Sequence, residues 1–111
     1  MNQIKFQDSP TLKKANSYFV KCLKLENTNA SNYVAYAQFL EIIGRKKEAE
    51  LHYLHALTLD PCELRGLYLY ANFLQINDKS KLADLFFQRW QNIKESLLKK
   101  QQEKNEIKKD N

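Results

Sequence analysis

The segment Tyr36-Ala37-Gln38-Phe39-Leu40 returns as Tyr70-Ala71-Asn72-Phe73-Leu74, an offset of 34 residues. A chain that repeats itself at a fixed interval of this size builds one supersecondary unit several times and stacks the copies, because no single copy buries its own apolar face. At the same offset Ala49 meets Ala83, Leu51 meets Leu85 and Tyr53 meets Phe87. One step back, Ala15 meets Ala49, Phe19 meets Tyr53, Leu23 meets Leu57 and Leu25 meets Leu59. The period covers roughly residues 10–95.

Each unit reads as two helices. Over residues 31–43, Tyr33, Tyr36, Ala37, Phe39 and Leu40 fall three and four apart, as one helical face requires. Gly44 offers the left-handed stop. A second amphipathic run over 46–59 passes through Ala49, Tyr53, Ala56 and Leu57, and Asp60-Pro61 closes it, since the residue before proline avoids helical geometry. The next pair spans about Cys62–Ile76 and resumes from Lys79 after Asn77-Asp78. Upstream, Ser9 before Pro10 predicts an N-cap and a first helical turn, opening a helix to about Leu25. Ala37, Ala49, Ala71 and Ala83 mark where paired helices approach most closely, and Tyr53 and Phe87 fill the wider gap between units.

Composition agrees. Two glycines and two prolines among 111 residues leave little room for a hairpin-rich β fold. Hydrophobic residues at 43% suffice for a core, and the length suits one domain. Cys22 and Cys62, without a secretory leader, suggest reduced thiols, and no apolar run has the length of a membrane span. The expectation is a soluble cytoplasmic protein.

These residues resemble the tetratricopeptide repeat, a helix–turn–helix unit. In the middle unit Tyr33, Tyr36, Ala37, Leu40, Gly44, Ala49, Tyr53, Ala56 and Pro61 stand on its signature. The following unit matches at Leu67, Tyr70, Ala71, Leu74, Ala83 and Phe87 but lacks the turn glycine and closing proline. The first stretch supplies only a second helix, through Ala15, Phe19 and Cys22. The resemblance implies an all-α fold: a short right-handed solenoid of five helices in antiparallel pairs, about two and a half repeats. Residues 1–9 form an extension, 10–95 the repeat domain, and 96–111 a basic, polar tail, helical or frayed.

The resemblance also implies that first helices line a concave, partner-binding face. Its lining here is Ser31, Val34, Gln38, Glu41 and Ile42, then Arg65, Tyr68, Leu69, Asn72 and Gln75. Tetratricopeptide domains that clamp a chaperone's terminal carboxylate use lysines, an asparagine and an arginine on this face. The matching places hold Val34, Ala35, Gln38, Arg65 and Leu69, and only Arg65 keeps the charge, so that chemistry is not expected. At the far end Trp90 stands where Cys22 and Ala56 stand earlier. An indole in a small-residue slot suggests that no further repeat docks in the usual way, with Trp90 packed sideways over Phe86 and Leu97 or left partly exposed. Phe86, Trp90 and Leu97 form a candidate end patch for self-association.

No catalytic motif, phosphate loop or thiol pair is present, and no cofactor or enzyme activity is expected. His52 and His55, three apart, are too few to bind a metal and read as surface residues. A net charge of +5 leaves RNA binding or processing through the basic surface of the outer helices and the tail as an alternative to protein binding.

Overall fold

The computed structural model describes residues 9–109. The extension expected at residues 1–9 lies, apart from Ser9, outside them, as do the last two residues of the tail. Among the described residues the chain is all helical: α1 (Pro10–Leu25), α2 (Ala30–Ile42), α3 (Lys46–Leu59), α4 (Leu64–Ile76) and α5 (Ser80–Lys109). None of these helices is long and apolar enough to cross a membrane.

Several boundaries have a local cause. The Ser9 hydroxyl accepts from the Leu12 amide at 3.2 Å, and Pro10 occupies the first turn, where its missing N–H costs nothing. The Glu63 carboxylate caps α4 through the Gly66 amide. Between α2 and α3 the chain reverses through Gly44 at φ 86°, closed by the Arg45 amide donating to the Leu40 carbonyl at 2.9 Å. Between α4 and α5 the Lys79 amide donates to the Leu74 carbonyl, also at 2.9 Å, and Asp78 takes φ 62°. The turn therefore survives the loss of its glycine, because a short polar side chain tolerates the left-handed region better than most.

The four alanines expected between paired helices are buried. Ala37, Ala49 and Ala71 have no exposed surface, and Ala83 has 1%. α2 packs chiefly on α3 and α4 chiefly on α5, while α1–α2, α2–α4 and α3–α4 contacts join the pairs. The α2/α3 pair is antiparallel: Tyr33 meets His55, and one turn later Tyr36 meets His52 one turn earlier.

Contacts between successive units recur at the period of the sequence. The Phe19 ring lies 5.6 Å from Tyr36 and 5.1 Å from Phe39. Tyr53 holds the equivalent places, 5.8 Å from Tyr70 and 5.9 Å from Phe73. The Tyr36 hydroxyl donates to Asn16 Oδ1 at 2.6 Å, and the Tyr70 hydroxyl to Glu50 Oε2 at 3.1 Å.

α5 breaks the pattern by its length, 30 residues against 14 in α3. Lys94 and Glu95 stand where Asp60-Pro61 end α3, so nothing stops the helix. Its distal part projects, stretching the molecule to 61 × 35 × 23 Å.

Candidate functional site

The flank of the middle unit is covered, and the equivalent flank of the last unit is not. Val34, Tyr53 and Ala56 have no exposed surface, and α4 is the helix laid across them. A Cβ placed on Gly66 would lie 3.0 Å from Val34 Cγ2 and 3.4 Å from Leu57 Cδ2, so the backbone of α4 rests almost directly on that flank.

One period later the positions belong to Tyr68, Phe87 and Trp90. The residues one period after α4 are the Lys- and Gln-rich distal part of α5, which has no small and aromatic face with which to fold back. Tyr68 stays 43% exposed, and Phe87 and Trp90 are half-buried. The Tyr68 ring meets Phe87 edge-on at 5.8 Å and Trp90 at 5.2 Å, making an aromatic ledge across α4 and α5. The Lys94 ammonium sits 4.7 Å above the indole. Asp84, Gln88 and Gln91 border a shallow cavity of about 380 Å³ beside the ledge.

Trp90 packs against Tyr68 of α4 and stays half-buried, the second of the two arrangements expected for it. The tilt lets the indole share surface with Tyr68. Phe86 turns instead to Tyr70, edge-on at 4.9 Å, with the Arg89 guanidinium 5.2 Å above it. Leu97 stands apart on the projecting part of α5, 50% exposed.

On the first-helix face, Arg65 Nη2 donates to Gln38 Oε1 at 2.8 Å, bridging α4 and α2. Glu41 accepts from the Tyr53 hydroxyl at 2.8 Å. Leu69 packs against the core and Asn72 is half-buried, while Ser31, Ile42, Arg65 and Gln75 are exposed. Val34 does not belong to an accessible lining: it is buried because α4 covers it.

A further feature escaped the sequence reading. His52 is not a surface residue but half-buried, its ring 4.8 Å from Tyr36 and 6.0 Å from Tyr33. Burial pulls its pKa below the usual histidine value, opposed by the nearby Glu48 and assisted by His55. Together with Tyr33 and Tyr36 it floors a cleft of about 560 Å³ walled by Val20 and Leu23 of α1, with Lys24 and Asn27 at its mouth. Among the described residues no three His, Cys, Asp or Glu side chains are grouped to hold a metal. Cys22 is half-buried and Cys62 exposed, both as free thiols.

Compared with known proteins, the chain matches no family model and no curated protein.

Proposed function

We propose that this chain is a short tetratricopeptide-like module, a right-handed stack of about two and a half helical repeats, that binds another protein and catalyses no reaction. The recurrence of ring contacts and tyrosine hydrogen bonds at the sequence period supports the stack. The binding role rests on one observation: Tyr68, Phe87 and Trp90 remain accessible at positions whose counterparts Val34, Tyr53 and Ala56 are fully covered. An amphipathic helix or peptide laid on the ledge buries two aromatic rings and an indole, the side chains that dominate binding energy at interfaces. The Gln38–Arg65 face beside it offers amide and guanidinium groups to a partner's backbone.

The RNA alternative has weaker support. Past Leu98 the lysines are not interleaved with any aromatic residue on which a base could stack.

The test is site-specific photo-crosslinking in native extract, with the photoreactive residue at position 68, 75 or 51 in turn. Adducts to one protein species from position 68, with none from position 51 on the outer face, are expected. Adducts only from position 51, or only to RNA, would contradict the reading.

A further inference from the structure

We propose that the cleft between α1, α2 and α3 binds an acidic peptide segment, seating one apolar side chain of that segment between Val20, Leu23 and the Tyr36 ring. The site is separate from the ledge and uses none of its residues. The cleft is predominantly apolar, and its floor rings lie against one another: Tyr33 is 4.3 Å from His55, and His52 fits between Tyr33 and Tyr36. Ring faces spent on each other do not take a stacked base, whereas an apolar cleft takes an aliphatic or benzyl side chain.

Charge identifies the rest of the ligand. α1 carries Lys13, Lys14, Lys21 and Lys24 and no acidic residue over Pro10–Leu25, and all four lysines are exposed. Lys13 and Lys24 lie seven residues before and four after Val20, on the face that walls the cleft. Of the nearby acids, Glu48 is paired with Arg45, and Glu26, which accepts from Asn29 at 3.1 Å, is one carboxylate against the four lysines of α1. A segment with carboxylates on either side of an apolar anchor therefore meets lysines along the wall and an apolar seat between them, which steers its approach and fixes its register.

The probe is a short synthetic peptide of Asp and Glu around a central Leu-Phe pair, titrated into the isotope-labelled full chain and followed by amide chemical shifts. Shifts gathered at Val20, Leu23, Lys24 and His52 are expected, with binding weakened about tenfold by Lys13→Glu with Lys24→Glu. The same reversal in the distal helix, Lys99→Glu with Lys100→Glu, should leave affinity unchanged. Equal binding of a peptide with serines in place of Leu-Phe would overturn the proposal. So would equal binding of a uridine oligonucleotide, equal weakening by the distal reversal, or shifts elsewhere only. None of these outcomes bears on the ledge.

Discussion

The Tyr53 hydroxyl donates to Glu41 Oε1 at 2.8 Å, joining the middle of α3 to the end of α2 while the ring below is completely buried against α4. One side chain thus serves both contacts of a repeat, within its unit and to the next. Burial and the adjacent carboxylate hold the phenol far above its ordinary pKa, so it stays a donor throughout the working range. Phe19 and Phe87 occupy the same place in the neighbouring units, which shows that the ring is the general requirement and the hydroxyl a local addition. Tyr53→Phe should therefore fold normally and lose about 1 kcal/mol. Tyr53→Ala, which empties the inter-unit gap, should lose about 3–5 kcal/mol. Urea unfolding curves separate the two.

The two hairpin turns predict opposite responses to glycine. Gly44→Ala puts a Cβ on a left-handed backbone and should cost about 1–2 kcal/mol. Asp78→Gly relieves the same strain in the second turn and should raise the urea midpoint, with a gain of up to about 1 kcal/mol set against the added freedom of the unfolded chain. A loss on Asp78→Gly would mean that the aspartate side chain contributes something beyond its backbone angle.

His52 makes stability depend on pH in a known direction. Its folded pKa lies below the unfolded value of 6.5, so the unfolded chain binds the proton more readily. Stability is full above that value and declines as the pH falls through it towards the folded pKa. His52→Phe places at position 52 the residue found one period later at Phe86 and should flatten this decline. Thermal melts at pH 8 and pH 5, compared between the two proteins, measure it.

The length of α5 follows from two residues. Replacing Lys94 and Glu95 by Asp and Pro restores the stop that ends α3 and should terminate α5 near Ile93. Far-UV ellipticity should drop while the urea midpoint barely moves, because the exposed distal turns hold nothing in place.

Much of the helix layout was legible because several helix ends are written in local chemistry, at Ser9-Pro10, Gly44 and Asp60-Pro61, and the alanines recur at a fixed period. Even the second turn, where glycine is missing, kept its geometry through Asp78. The surfaces were read less well, and the reason is physical. Val34 carries no local mark of burial; it depends on a helix that begins 30 residues later in the chain. Trp90 meets Tyr68 of α4, a contact that no spacing within its own helix marks. His52 owes its half-burial to Tyr33 and Tyr36 across the hairpin, and the cleft it floors exists only once α1 is docked. Local signals specify where helices stop; which flank stays open depends on what packs there afterwards.

Chemical nitration mapped by mass spectrometry tests most directly whether the last unit is an uncovered copy of the middle one. Tyr68 and Tyr18 are exposed, whereas Tyr36, Tyr53 and Tyr70 are buried, with phenols whose pKa burial raises. Rapid modification is expected at Tyr68 and Tyr18, with Tyr53 and Tyr70 protected until the chain unfolds. Tyr53 reacting as fast as Tyr68 in the folded protein would show that α4 does not cover the flank of the middle unit, and the equivalence on which the ledge depends would be lost.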